Sequence, residues 1–304
     1  MPELPEVQTT VNGIKKLALG LTIKDAWTDY GSAFHVGKDN IADPAFFARF
    51  RKAVRGAIIA DTSRRGKNVL IHLSNGKTIL IHMKMTGHVM YGRYVQKSKA
   101  WVATDPGPLR DDPFNRFVHF ILNFTNGYSL ALCDMRKFAK VTLVETASMS
   151  QSVHLSEHGP EPLDPDFTVA DFKSALLARP EGPIKTVLMD HQTVSGIGNI
   201  YSDEILWRAG VHPLSIVRAI PAAKLPLMFS AMRETLASGI DFGGDSMSDY
   251  RNIHGERGAF QGRHNAYRRT GEPCGRRGCH GTIRRLVVGG RSGHYCDGHQ
   301  KLYT

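Results

Sequence analysis

The chain has 304 residues, 39 Lys+Arg against 28 Asp+Glu, a formal net charge of +11 and 41% hydrophobic residues. That hydrophobic content, with no low-complexity segment, excludes a disordered tail protein, and no apolar run approaches the ~18–20 residues that a membrane span needs. The acidic start Met1-Pro2-Glu3-Leu4-Pro5-Glu6-Val7 is no secretory signal, so the expectation is a soluble basic protein of about two domains with a polyanionic partner, nucleic acid first.

The first residues carry chemistry of their own. Removal of Met1 turns Pro2 into a secondary amine, and an α-amino group titrating near ~7.7–8 is partly neutral at cellular pH. Such an amine can attack a sugar's anomeric carbon, displace the base and leave an iminium that acidifies the adjacent carbon for phosphate elimination. Glu3 suits protonation of the ring oxygen or leaving group; Glu6, one helical turn on, suits orienting the amine or the base. From Pro5 to about Leu19 the pattern is helical, with Val7, Val11, Ile14, Lys15 and Leu17 as its stripe and Gly20 as its stop.

Residues 22–145 read mostly as strands. Val69–Leu73 and Thr78–Met83 flank Asn75-Gly76, and Phe117–Phe124 and Tyr128–Cys133 flank Asn126-Gly127, so both pairs are expected hairpins. Short strands with turn signals indicate a sandwich or barrel, with a helical insert at Asp43–Arg51 and Cys133 as a buried strand thiol. The pattern fades at Thr146–Ser150, a linker. Four helices are expected between residues 166 and 240: one opened near Asp166 and Asp171, then Ile184–Asp190, Asn199–Arg208 stopped at Gly210, and Ala222–Ser238. Residues 243–262 hold five glycines and read as a long mobile loop.

The tail reads as a metal site. Cys274-x4-Cys279-x16-Cys296-x2-His299 is two short ligand pairs around a hairpin-length insert, which suits one tetrahedral structural zinc. The last ligand is His299 or, at a worse spacing, His294. Between the pairs, Val287-Val288-Gly289-Gly290 leads to Arg291, where a tight tip can offer a guanidinium to phosphate. Residues 251–304 hold ten arginines, one lysine and three carboxylates, a net +8, which locates most of the basic excess.

Taken in order, these motifs resemble the formamidopyrimidine-DNA glycosylase branch of the Fpg/Nei family. Carrying the resemblance are Pro2–Val7, Arg65-Gly66-Lys67, Met85-Thr86-Gly87, Asp134–Phe138, Gly159-Pro160-Glu161-Pro162-Leu163, Ile197-Gly198-Asn199-Ile200-Tyr201 and the finger. It implies an α+β protein: an N-terminal helix with a two-layer β-sandwich (1–145), a linker (146–158), a helix-two-turn-helix domain with a base-capping loop (159–262) and a zinc-bound hairpin finger (263–304). By the same resemblance Pro2, Glu3, Lys67 and Arg291 are catalytic. Lys67 reaches the opened sugar and a phosphate, and its charge keeps the proline amine unprotonated; Arg291 assists the second elimination. Met85, Arg136 and Phe138 fill the gap left by an extruded base. Lys185, Asn199 and Tyr267 contact the DNA backbone.

The implied activity is a bifunctional glycosylase/AP lyase that excises oxidised purines from double-stranded DNA by β,δ-elimination. The protein is expected to be a monomer, cytoplasmic in a bacterium or nuclear in a eukaryote. Its finger departs from the usual four-cysteine form. An endonuclease VIII-like preference for oxidised pyrimidines is the alternative, and a catalytically silent zinc-finger DNA-binding protein the more distant one.

Overall fold

The computed structural model describes every residue except Ser248. It divides into two compact units, residues 1–156 with 242–259, and residues 157–241 with 260–304.

The first unit begins with α1 (Leu4–Ala18), which buries Val7, Val11 and Ile14 at helical spacing. Lys15 lies off that stripe, exposed and paired with Asp61 at 2.9 Å, because its long cationic stem is cheaper to solvate than to bury. Next come β1 (Ile23–Thr28), α2 (Pro44–Val54), β2 (Ile59–Arg65), β3 (Asn68–Leu73), β4 (Lys77–His82), β5 (Gly87–Gly92), β6 (Tyr94–Lys97), β7 (Ala100–Ala103), α3 (Pro108–Asp111), β8 (Val118–Phe124), β9 (Ser129–Asp134) and β10 (Lys140–Glu145). Asp43 starts α2 by accepting the Ala45 N–H at 2.9 Å.

Two antiparallel four-stranded sheets form, ordered β1-β8-β9-β5 and β10-β4-β3-β2, and both expected hairpins are present as β3–β4 and β8–β9. Alternation sorts the side chains. Val69, Ile71 and Leu73 of β3 share one apolar core with Phe120, Leu122 and Phe124 of β8 and with the stripe of α1. Leu70 and Leu80 point to the opposite face. There they meet Met149 and Leu155, so residues 146–156 are no open linker: Thr146–Gln151 forms a 3-10 turn packed on the sheet. Cys133 is the buried strand thiol expected, donating to the Phe114 carbonyl at 3.0 Å.

Residues 242–259 belong to this unit. Ile253 enters the core against Gly13, where a Cβ would lie 2.6 Å from it. Arg251 pairs with Asp112 at 2.7 Å and stacks on Phe114, and Asn115 donates to the Gly255 carbonyl at 2.9 Å. A segment that reads as an open loop is thus tied down at several points.

The second unit holds α4 (Val169–Leu177), α5 (Ile184–Met189), α6 (Asn199–Ala209) and α7 (Leu225–Asp241), then the hairpin β11 (Ile283–Val288) and β12 (Arg291–Cys296). Thr168 and Asp171 form a capping box on α4. The last long helix starts at Leu225, residues 222–224 being a 3-10 turn. Among the described residues no helix is long and apolar enough to cross a membrane.

Candidate functional site

At the N-terminal end of α1, Pro2, Glu3 and Glu6 are all buried. Glu6 Oε2 accepts the Glu3 N–H at 2.7 Å, while Oε1 accepts the Asp245 N–H at 2.7 Å. Tyr250 donates its hydroxyl to the Glu6 carbonyl at 3.1 Å. Burial and the Glu6 charge hold that hydroxyl well above the usual phenol range, so it stays a donor. The approach of residues 242–259 to α1 requires glycine: Gly244 has φ +87°, and a Cβ on it would lie 2.9 Å from Glu6 Cγ. Glu6 therefore spends its carboxylate on two backbone N–H groups and sets where the chain end lies. Lys67, half-buried, is the second residue of the Gly66-Lys67 turn between β2 and β3. Arg64 braces that turn against α1, bonding Gln8 Oε1 and the Gly66 carbonyl at 3.0 Å each.

Met85, Arg136 and Phe138 come together. The Arg136 guanidinium sits 4.5 Å from the Phe138 ring centroid and 3.5 Å from Met85 Sδ. Met85 is 47% and Phe138 48% exposed, an apolar and cationic cluster held out into solvent. Each loop contains a lysine in the left-handed region, Lys84 at φ 55° and Lys137 at φ 54°, conformations that persist only when surroundings enforce them. Asp134, fully buried, enforces the second. It accepts the Ala139 N–H at 2.7 Å and the Tyr30 hydroxyl at 3.0 Å, and bonds the Thr86 hydroxyl.

In the second unit α6 is the organising element. Lys185 is fully buried, its ammonium 2.6 Å from Asp203 Oδ1, 2.9 Å from Ser202 Oγ and 3.2 Å from the Asn199 carbonyl. It is not a surface cation held ready for phosphate; its charge is balanced inside the fold. The other oxygen of Asp203 accepts from the His294 backbone N–H at 3.0 Å and faces His294 Nδ1 at 2.9 Å. Glu204 accepts the backbone N–H groups of Asn265, Ala266 and Tyr267 at 2.8–2.9 Å. The Asn199 amide lies 3.5 Å from Ser292 Oγ. Arg291 is exposed just after the hairpin tip, where Gly289 and Gly290 take positive φ of 56° and 73°.

Cys274, Cys279, Cys296 and His299 form a cluster that could hold a metal ion, all four ligand atoms lying within 4.8 Å of one another. His294, committed to Asp203, is outside it. Around a tetrahedral zinc, bonds of about 2.3 Å to sulfur and about 2.0–2.1 Å to nitrogen separate ligand atoms by about 3.5–3.8 Å. The Cys279–Cys296 sulfurs, and His299 Nδ1 to the Cys274 and Cys279 sulfurs, are each 3.5 Å apart. Burial lowers the proton affinity of His299, favouring the neutral ring that a metal needs. The donor set fits one tetrahedral metal ion with no open position.

Two family models match in succession: the formamidopyrimidine-DNA glycosylase N-terminal domain over residues 1–141 and the formamidopyrimidine-DNA glycosylase H2TH domain over residues 158–251. The chain is 35% identical over 296 residues to a formamidopyrimidine-DNA glycosylase of Roseobacter denitrificans, covering 97% of this chain and 98% of that one. It is 34% identical to that of Bacillus subtilis at the same coverage. The chain belongs to the formamidopyrimidine-DNA glycosylase family. Its fold is similar to Lactococcus lactis Fpg in complex with DNA containing an abasic site, with a TM-score of 0.80, 28% identity and 97% of each chain covered. It matches the same protein with DNA containing N7-benzyl-Fapy-dG at a TM-score of 0.80 and 27% identity, over 97% of this chain and 98% of that one.

Within this member of the formamidopyrimidine-DNA glycosylase family, several structural anchors escaped sequence reasoning. Asp134 stands inside the Asp134–Phe138 motif, but its partners Tyr30 and Thr86 lie 104 and 48 residues away. Asp203, Glu204 and Trp207 follow the Ile197–Tyr201 motif on one helix, and three polar or amphipathic residues on a helix ordinarily signal a solvated face. All three are buried, a reversal that the residue types alone do not signal.

Proposed function

We propose that this chain is a base-excision-repair glycosylase/AP lyase that removes oxidised purines from duplex DNA and nicks the strand. The observation that carries it is the N-terminal end of α1, where Glu6 fixes the backbone beside Pro2 and Glu3 in a chain matching this family over its length. With Met1 removed, the Pro2 amine attacks C1′; the C1′–N bond breaks and the base leaves with a proton. Glu3 protonates the ring oxygen as the sugar opens to an iminium. The C2′ proton, acidified by that iminium, is lost and the 3′ phosphate departs. Loss of the C4′ proton, acidified through the conjugated iminium, and of the 5′ phosphate follows, with Lys67 and Arg291 pairing with the phosphates. Water then releases Pro2.

The Met85 and Phe138 side chains fill the hole left by the extruded nucleotide, and Arg136 bonds the orphaned base. Asn199 and Tyr267 hold phosphates, while Lys185 acts from inside the fold by bracing α6. Zinc, when bound by Cys274, Cys279, Cys296 and His299, supplies structure to the finger and no Lewis acid to the reaction.

Borohydride trapping on duplexes carrying 8-oxoguanine, a formamidopyrimidine, thymine glycol or an abasic site tests this reading. The expected result is a covalent adduct and excision of the purine lesions, both reduced in Pro2→Gly. Trapping and cleavage by Pro2→Gly at the parent level remove the nucleophile assignment. Faster excision of thymine glycol than of 8-oxoguanine replaces the purine preference with a pyrimidine one.

A further inference from the structure

Trp207, a residue outside the ligand set, makes three contacts with two of the four metal ligands. Its Nε1–H donates to Cys274 Sγ at 3.3 Å. Its carbonyl is 2.9 Å from His299 Nε2. Its ring meets the His299 ring edge-on, centroids 5.4 Å apart and planes at 89°. The side chain is 8% exposed and shares an apolar cluster with Cys274, Ile283 and Cys296.

These contacts have chemical consequences. An imidazole has two nitrogens, and the one facing a carbonyl must carry the proton. The Trp207 carbonyl therefore assigns the proton to Nε2 and leaves the Nδ1 lone pair facing the cysteine sulfurs, 3.5 Å from those of Cys274 and Cys279. The indole N–H fixes the direction of the Cys274 sulfur by its hydrogen bond, and the indole is held in place by the helix that carries it. A cysteine in the fourth position would present no second ring nitrogen and so would need no such carbonyl. The departure from a four-cysteine finger thus comes with a partner that a histidine ligand requires.

We propose that Trp207 is the positioning residue of this Cys3His site, holding His299 as its Nδ1 donor and orienting the Cys274 sulfur through its indole N–H. The proposal rests on the metal reading above.

The full-length chain with cobalt(II) as probe tests it. The parent should bind one cobalt with tetrahedral d–d bands. Trp207→Phe keeps an aromatic ring and the backbone carbonyl but loses the N–H. It should keep the d–d bands, shift the sulfur-to-cobalt charge-transfer band and weaken metal binding in chelator competition by about tenfold, at the lower end of the usual cost of losing such a partner. An unchanged charge-transfer band and unchanged affinity overturn the role of the indole while leaving the metal reading intact. No uptake by the parent overturns both. The parent alone decides the tautomer: 15N spectra of the zinc-loaded chain should show His299 Nε2 protonated and Nδ1 metal-bound, and the reverse assignment overturns the proposal. Should Trp207→Phe fail to fold, the cadmium-113-loaded parent decides the indole bond. A coupling from the Trp207 Nε1–H to the metal supports it, and its absence overturns it.

Discussion

Single buried polar residues decide much of the local geometry. Asp134 has no exposed atom, yet it fixes the loop that carries Arg136 and Phe138 through bonds to Ala139, Tyr30 and Thr86. Asp134→Ala strands the Tyr30 hydroxyl and the Ala139 N–H, which should cost about 3 kcal/mol in urea unfolding. It should also reduce base extrusion, read from 2-aminopurine fluorescence opposite an abasic site; parent-level stability in this variant removes the assigned role. His88 gives a pH signature. Buried against Asn115 Oδ1 at 2.9 Å, it is pushed down to about 4, desolvation of the charged ring being the main cause. A histidine depressed in the folded state favours folding above its unfolded value of about 6.5. Its contribution falls as the pH drops from there toward about 4, because the unfolded chain binds the proton first. The parent should lose about 3 kcal/mol across that window by this group, and His88→Gln should flatten that part of the curve. Equal slopes for the two proteins would count against it.

Elements differed in how much of them could be read in advance. The Asn75-Gly76 and Asn126-Gly127 hairpins, the α1 stripe and the Gly210 stop were legible because turn chemistry and periodicity are local. So was the cysteine spacing, which predicts the cluster now seen with His299. What α6 does was not legible. Its Asp203–His294 pair spans 91 residues and its Trp207–Cys274 pair 67, and no local pattern encodes such distances. The resemblance places the Lys185 side chain at a phosphate; here it is buried, and a buried Asp203 compensates it. Asp203→Asn leaves that ammonium buried without its counter-charge and should cost about 3–5 kcal/mol. Adding Lys185→Met to an Asp203→Leu change should recover part of the loss, since a buried pair is often replaceable by apolar groups. Urea titration of the three variants checks both statements, and an Asp203→Asn midpoint equal to the parent's refutes the first.

At the scale of the molecule, the two units answer to different supports. The sandwich rests on an apolar core drawn from two sheets and α1, whereas the finger contributes four residues to a small core it shares with Trp207 of α6, two of them candidate metal ligands. Stripping the metal with a chelator should therefore speed amide exchange in β11 and β12 while leaving β3, β4, β8 and β9 slow. Uniform acceleration across both sets contradicts that division. The basic excess of residues 251–304 predicts steeply salt-dependent DNA affinity, measurable as the slope of log K against log salt. Membership of residues 242–259 in the first unit also has a consequence in time. Glu6 cannot meet the Asp245 N–H until 239 further residues have been synthesised, which at ~5–20 residues per second takes about 10–50 s. The start of α1 is among the last parts of its own unit to be fastened, and a ribosome stalled within the four helices would hold a sandwich in which the Glu6 bond to the Asp245 N–H is still unmade.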